Sequence, residues 1–242
     1  MTRLKLFLYA ATILLFITNV KANTQLPEIK IEKITSNVYL HKSYSSVKGF
    51  GLVSSNGLVV VQKNKAFIID TPWSIEDTKR LVKWIEAQGF DVSGSLSTHS
   101  HDDRTAGIPW LNSQGIATYA TKETNQILSE ESKETATFEL GSRSLLSGTI
   151  ETFYPGEGHS KDNIVVWLPE QKLLFGGCLV KSLSSKGLGY TGSANLQEWS
   201  PSVLNVSQNY SEINIVVPGH GAYGNEQLLS HTVHLIDTFN KQ

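Results

Sequence analysis

The sequence contains a single cysteine among its 242 residues, which excludes any disulfide bond within the chain. An exposed free thiol is a liability in an oxidising compartment, so Cys178 is predicted to be buried as a small hydrophobic residue or bound to a ligand. Basic residues number 21 against 22 acidic ones, and no basic run stands out. Nucleic-acid binding is therefore not expected, because phosphate contacts need clustered positive charge.

Long hydrophobic runs are also scarce, and the one present lies at the N-terminus. It follows Arg3 and Lys5, covers residues 6–20 and is shorter than the about 20 residues that a membrane-spanning helix needs. Small residues follow it, so we predict a signal peptide over residues 1–22. An uncleaved anchor helix is the alternative interpretation.

Removal of that peptide leaves residues 23–242, which are enough for one substantial core. We predict that this single domain is exported to the periplasm and has no stable membrane association after cleavage. No long apolar stripe remains beyond the needs of a core, so we also expect a monomer.

Short strand and helix patterns alternate along the mature chain. The pattern predicts an α/β fold with two sheets and helices outside them. Asn56-Gly57 lies between two apolar runs and predicts a tight hairpin turn. Strands are predicted over residues 28–40, 52–55, 58–62, 66–69, 92–96, 164–168, 172–175 and 213–217; helices are predicted over 74–89, 106–114, 121–130, 195–210 and 227–240.

The sharpest chemical feature directly follows the predicted strand 92–96. His99, His101 and Asp103 stand two residues apart there, and two histidines at this spacing on a turn can converge on one ion. Three buried polar groups at a strand end serve no packing purpose without partners. The motif predicts a metal site, and a polar surface loop is the alternative.

Three more residues of metal-binding type occupy similar places. His159, Cys178 and His220 each lie on a loop next to a predicted strand, and each is preceded by glycine. Glycine lets a backbone turn tightly and approach a site closely. Taken singly, the histidines are typical of ordinary loops and the cysteine of a core; taken with the first motif, they form a set of six donors.

Imidazole, thiolate and carboxylate are the usual donors of zinc, and catalytic zinc keeps one position open. Six protein donors exceed what one tetrahedral ion uses, so the set predicts two zinc ions with three ligands each. Binding would also explain the single cysteine, because a metal-bound thiolate is not a free thiol.

With these motifs the sequence resembles the metallo-β-lactamases of subclass B1 over nearly the whole mature chain. The shared landmarks are Ile-Asp-Thr-Pro-Trp at 69–73, the motif at 99–103, the segment at 153–159, Gly-Gly-Cys at 176–178 and Lys181. The resemblance implies a four-layer αβ/βα sandwich with the metals in a groove at one edge of two mixed sheets. It also implies zinc-dependent hydrolysis of penicillins, cephalosporins and carbapenems, and hence antibiotic resistance.

The resemblance assigns roles to individual residues. It places one zinc on His99, His101 and His159, and the other on Asp103, Cys178 and His220. His99, His101 and Asp103 would be catalytic, with Asp103 orienting the nucleophile. Lys181 would bind the substrate carboxylate, although alone it is typical of a solvated surface lysine, and Asp70 would support the metal loop from below, although strand-end turns also use such a carboxylate.

The substrate side of the groove shows one match and two departures. Residues 43–51 match a mobile flap, from which Val47 and Phe50 would cover apolar parts of the substrate; a plain hairpin tip is the alternative. Tyr190 stands where many members have an asparagine near the substrate carbonyl; its hydroxyl can also donate a hydrogen bond, but from a different distance. Arg104 stands beside the ligands where many other hydrolases of the superfamily have a histidine ligand.

Two other functions remain in competition. A thioesterase of the glyoxalase II kind would share the motif at 99–103, but Arg104 and Cys178 stand where such sites use a histidine and a bridging aspartate. A periplasmic zinc-binding protein without catalysis would use the same ligands and would not need Lys181 or a flap.

Overall fold

The structure of the protein is a computed structural model that describes residues 25–141 and 145–241. The predicted signal peptide, residues 1–22, lies outside these residues. Within the described part of the chain, no helix is both long and apolar enough to cross a bilayer.

The first sheet has seven strands whose spatial order follows the chain. Its first four strands pair antiparallel, and the fourth to seventh pair parallel. The strands are β1 (Lys30–Lys33), β2 (Val38–Val47), β3 (Gly51–Gln62), β4 (Lys65–Ile69), β5 (Asp91–Leu96), β6 (Thr118–Ala120) and β7 (Phe138–Glu139).

The second sheet has four strands: β8 (Glu151–Phe153), β9 (Val165–Leu168), β10 (Leu173–Gly177) and β11 (Ile215–Pro218). Their spatial order is β11-β10-β9-β8, and only β10 and β11 run parallel. The helices are α1 (Ile75–Ala87), α2 (Asp102–Thr105), α3 (Ile108–Ser113), α4 (Lys122–Glu130), α5 (Leu196–Asn209) and α6 (Gln227–Phe239), and a 3₁₀ turn covers Leu146–Gly148.

Successive side chains along a strand point to opposite faces of the sheet, so each sheet contributes to two cores. In β3, Leu58 and Val60 enter a core between the two sheets, whereas Val59 and Val61 face a second core that α1 and α3 cover. A third core lies between the second sheet and helices α5 and α6. The predicted four-layer αβ/βα sandwich, with two mixed sheets and outer helices, is therefore confirmed.

Local capping fixes the starts of three helices. The Ser74 hydroxyl accepts a hydrogen bond from the Asp77 N–H at the start of α1, and Thr121 and Asn195 cap α4 and α5 in the same way. Gly89 follows α1 with a φ of +84°, a conformation that glycine adopts without strain. These helices begin where the sequence predicts.

The hairpin predicted at Asn56-Gly57 is wrong. Strand β3 runs through both residues, and its antiparallel pairing with β2 extends without a break to Val47 opposite Gly51. The turn instead covers residues 48–50, where the Phe50 N–H donates to the Val47 carbonyl. A Cβ on Gly57 would lie 2.3 Å from His41 Nε2, so glycine is needed here to leave room for the His41 ring of the neighbouring strand.

We expect Gly57→Ala to lower the free energy of unfolding by about 1–3 kcal/mol, because the added methyl group collides with the buried His41 ring and with the Asp70 carbonyl. Urea unfolding of the purified domain measures this change. Gly187→Ala is the matched control, since a Cβ there meets nothing within 4 Å. An unchanged unfolding midpoint in Gly57→Ala would contradict the packing described.

Candidate metal centre

The six predicted metal ligands come together at one edge of the two sheets. Five of them lie on loops and Asp103 lies in the short helix α2, so none is within a strand. The loop after β5 carries His99 and His101, and α2, which follows it directly, carries Asp103. The loop before β9 carries His159, and the ends of β10 and β11 lead into Cys178 and His220.

Three imidazoles form the first donor set. His101 Nδ1 lies 3.1 Å from His99 Nε2 and also 3.1 Å from His159 Nε2. Two nitrogens bound to one tetrahedral zinc at about 2.0–2.1 Å lie about 3.3 Å apart. The observed separations therefore fit a single zinc ion held between the three rings.

A carboxylate, a sulfur and an imidazole form the second donor set. Cys178 Sγ lies 3.6 Å from Asp103 Oδ2 and 3.3 Å from His220 Nε2, and those two atoms are 3.4 Å apart. A zinc ion with a bond of about 2.3 Å to sulfur predicts separations of about 3.5 Å for such a mixed set. His99, His159 and Cys178 also bring donor atoms within 4.8 Å of one another, so the two sets are adjacent.

The protonation of the imidazoles suits a metal. Burial lowers the pKa of His99 and His159 well below the usual value, and it lowers the pKa of His101 as well. Burial also lowers the pKa of His220, although about a third of its side chain (34%) remains exposed. Neutral imidazole is the form that binds metal ions, so the residues present fit zinc.

Neighbouring groups orient two of the rings. The Nδ1–H of His220 donates to the Ser54 carbonyl at 2.7 Å, which leaves Nε2 for the second set. Nε2 of His101 lies 3.1 Å from Ser193 Oγ, which leaves Nδ1 for the first set. Contacts of this kind fix the orientation of metal-binding histidines. Neither Ser54 nor Ser193 is recognisable from sequence patterns, because a serine in a strand or loop has many ordinary uses.

Arg104 is completely buried beneath the second donor set. Its Nη2 donates to Asp103 Oδ2 at 2.7 Å and to Cys178 Sγ at 3.0 Å, and its Nη1 donates to Asp70 Oδ2 at 3.1 Å. Burial opposes the charged form of Asp103, but the guanidinium outweighs it and holds the pKa of that carboxyl below its usual range. The structure therefore places Arg104 in contact with two of the three donors of this set.

Burial raises the pKa of the Cys178 thiol to about 12, although Arg104 opposes the shift. The metal-free protein therefore carries a thiol at this position at neutral pH. Since zinc binds the thiolate, metal binding at this set releases a proton.

Asp70 lies beneath the loop that carries His99, as the resemblance implied. Its carboxylate accepts from the Thr98 N–H at 2.7 Å, from the Thr98 hydroxyl at 2.8 Å and from Arg104. Burial raises the pKa of Asp70 to about 6, and these donors keep it below neutrality. The backbone φ of +60° is strained for an aspartate, which indicates that its contacts hold it in place.

A cavity of about 480 Å³ opens over both donor sets. Val47 and Phe50 at the tip of the β2–β3 hairpin form one wall, together with Trp73. Lys181 and Tyr190 line the same cavity. Its size, and a lining that combines apolar side chains with convergent polar ones, are typical of a small-molecule site.

Two residues of this cavity pack against aromatic rings. Lys181 is only 8% exposed, and its Nζ lies 5.0 Å from the ring centroid of the buried Trp199. Burial lowers the pKa of Lys181, and the aromatic face stabilises its charged form. The Tyr190 ring packs edge-on against His101 at 5.7 Å, and its hydroxyl occupies the space above Gly192.

A family model described as the Metallo-beta-lactamase superfamily matches residues 50–220. The chain is 41% identical over 227 residues to a metallo-beta-lactamase type 2 from Pseudomonas aeruginosa, covering 93% of this chain and 91% of the relative. Among solved structures, DIM-1 metallo-beta-lactamase exposed to ceftazidime shares 57% identity with a TM-score of 0.87, covering 89% of this chain and 99% of that one. TMB-1 shares 52% identity with a TM-score of 0.87, covering 89% and 100% respectively.

The fold and the paired donor sets are thus those of a metallo-hydrolase, and the chain belongs to the metallo-β-lactamase superfamily. The resemblance to subclass B1 is confirmed by its similarity to proteins that are themselves named metallo-β-lactamases.

His41, which sequence patterns do not single out, makes the stability of the protein depend on pH. Its ring is buried beneath Asp70, where its Nε2–H donates to the Asp70 carbonyl at 2.9 Å, and burial lowers the pKa of His41 to about 3. The unfolded imidazole titrates near pH 6.5, at a higher pH than the folded one, so stability is lost as pH falls below about 6.5. At about pH 5 this single group costs about 2 kcal/mol.

We therefore expect His41→Gln, which keeps an amide donor but cannot titrate, to show a smaller loss of unfolding free energy between about pH 7.5 and about pH 5. Urea unfolding of the metal-free protein in chelator measures both slopes. Equal pH dependence in the two proteins would show that His41 is not held neutral by burial.

Proposed function

We propose that this protein hydrolyses the amide bond of β-lactams (penicillins, cephalosporins and carbapenems) with two bound zinc ions, and so confers antibiotic resistance. The observation that carries the proposal is the pair of adjacent donor sets at the floor of a cavity whose wall also presents Lys181. A zinc-storage protein has no use for such a lysine beside its metals.

We propose that His99, His101 and His159 hold one ion, and that Asp103, Cys178 and His220 hold the other. Zinc in such a site supplies a Lewis acid for the carbonyl and hydroxide at neutral pH. Asp103 and the histidines are thereby placed in direct reach of the reacting atoms. Both hydrogen bonds of Arg104 to this set fix the orientation of the carboxylate and of the sulfur.

The cavity residues bind and orient the substrate in this proposal. The Lys181 ammonium binds the carboxylate that β-lactams carry beside the ring, because a charge-assisted contact is strong in a partly desolvated site. Val47 and Phe50 cover apolar substituents from the hairpin tip and exclude water from the bond that breaks. Tyr190 also lines the cavity and limits the space above His101.

The N-terminal segment and the mature chain have separate roles in this proposal. Residues 1–22 direct export to the periplasm and are removed, and residues 23–242 act there as a monomer. Mass spectrometry of the periplasmic protein and its molar mass in solution test both statements.

The proposal predicts that the purified mature chain hydrolyses a carbapenem, that a chelator abolishes the reaction and that added zinc restores it. Loss of the lactam absorbance measures the rate, and metal analysis measures the number of ions. A folded protein that contains two zinc ions and turns over no β-lactam would overturn the proposed substrate.

Cys178→Ser tests whether the second donor set binds its own zinc ion. We expect it to retain one zinc on the three histidines and to lose most of its activity, because serine is a poor zinc donor. Full activity and unchanged zinc content in this variant would overturn the assignment of the second set.

Lys181→Met should raise KM by about 10- to 100-fold with a smaller change in kcat, because it removes a charge-assisted contact worth about 1.5–3 kcal/mol. Steady-state kinetics with a penicillin measure both constants. Lys161→Met is the matched control, since Lys161 pairs with Glu123 away from the cavity. Equal effects of the two substitutions would exclude a binding role for Lys181.

A further inference from the structure

Strand β3 extends beyond the end of its neighbour β4. The last pair between them joins Leu58 to Ile69, so residues 51–57 have one edge that no strand of the described chain covers. The loop after β11 fills part of that edge. The Asn56 N–H donates to the Gly219 carbonyl at 2.8 Å, and the Asn56 carbonyl accepts from Arg104.

The side chain of Asn56 makes a more specific contact with the same loop. Its Nδ2 donates to the Pro218 carbonyl and to the Gly221 carbonyl, both at 2.9 Å. These two residues enclose His220, and Asn56 is only 1% exposed. Both protons of one buried amide are therefore used to fix the two ends of the turn that presents a single metal ligand.

Asn163 has the corresponding position at the other donor set. Its Nδ2 donates to the Gly156 carbonyl at 2.9 Å, and its Oδ1 accepts from the Ser160 N–H at 3.1 Å. These two residues enclose His159, and Asn163 is also only 1% exposed. The two asparagines thus brace two ligand loops, one in each donor set.

We propose that Asn56 and Asn163 are positioning residues that act separately on the two metals: Asn56 through His220 on the second donor set, and Asn163 through His159 on the first. The inference rests on the proposed binding of two metal ions, and it goes beyond the ligands themselves. A purely structural role would lower stability but would not separate one metal site from the other.

The physical reason lies in the angular precision that zinc demands. Each ligand loop is held at both ends, so its imidazole is already oriented for binding before the metal ion arrives. Loss of a group that orients a ligand commonly lowers metal affinity by about 10- to 100-fold. Because each asparagine touches the loop of one donor set, the loss should fall on that set.

Cobalt(II) binding distinguishes the two sites, since only the second set contains Cys178 and gives a thiolate-to-metal absorption band. Stepwise titration of the metal-free chain against a competing chelator measures both affinities. We expect Asn56→Ala to weaken the thiolate-containing site about 10- to 100-fold and to change the histidine site by less than about threefold. Asn163→Ala should show the opposite pattern.

Asn112→Ala is the matched control. Asn112 also makes several hydrogen bonds, to Thr118, Glu134 and the Thr135 carbonyl, but it touches neither ligand loop. We expect it to lower the midpoint of thermal unfolding without changing either cobalt affinity. Circular dichroism verifies the fold of each variant; where an alanine variant does not fold, the serine variant keeps one hydroxyl donor and should show a weaker form of the same selectivity.

Equal weakening of both sites by Asn56→Ala and Asn163→Ala, or a loss of stability with both affinities unchanged, would overturn the proposal. A parent protein that binds no cobalt at the thiolate site would overturn both the Asn56 inference and the two-ion part of the proposed function. A protein with two normal cobalt sites and no β-lactam hydrolysis would overturn the proposed substrate alone, and the positioning roles would still be read from the titration.

Discussion

The metal centre depends on one buried cation. The Arg104 guanidinium is completely shielded from water and donates to two carboxylates, a sulfur and two backbone carbonyls. Its partners come from β3, from the loops after β4 and β5, and from the ends of β10 and β11, so both sheets contribute. A buried charge is tolerated only when it is neutralised and hydrogen-bonded, and removal of one member leaves the others uncompensated. The two sheets therefore keep their relative position partly because this charge requires both.

The predictable parts of the molecule are those encoded over short distances. The helix caps at Ser74 and Thr121 and the motif at 99–103 each need only a few neighbouring residues, and all are found where the sequence placed them. Asn56-Gly57 shows the limit of local patterns, because the same dipeptide suits a tight turn and also a strand that needs both a close approach to His41 and a buried amide. The strand conformation is favoured here by the contact between Asn56 and Pro218 of β11, and these residues are more than 150 positions apart in the sequence.

Side-chain partners across the fold were the least predictable. Ser193 lies beside His101, and Trp199 lies beneath Lys181, but serine on a loop and tryptophan on an amphipathic helix both have commoner explanations. The roles of such residues depend on the distance between two loops, which sequence spacing does not encode. The ligand types, by contrast, are informative without coordinates, because a lone cysteine, two glycine-preceded histidines and the motif at 99–103 have few other uses together.

The unequal lengths of β3 and β4 also have a mechanical consequence. Residues 58–60 of β3 pair with both β2 and β4, whereas residues 51–57 pair with β2 alone among the described strands and lead to the cavity wall at the hairpin tip. Val53, which lines the cavity, and Asn56, which holds the turn of His220, lie three residues apart on this strand. One strand therefore positions both a wall of the cavity and the turn of one metal ligand.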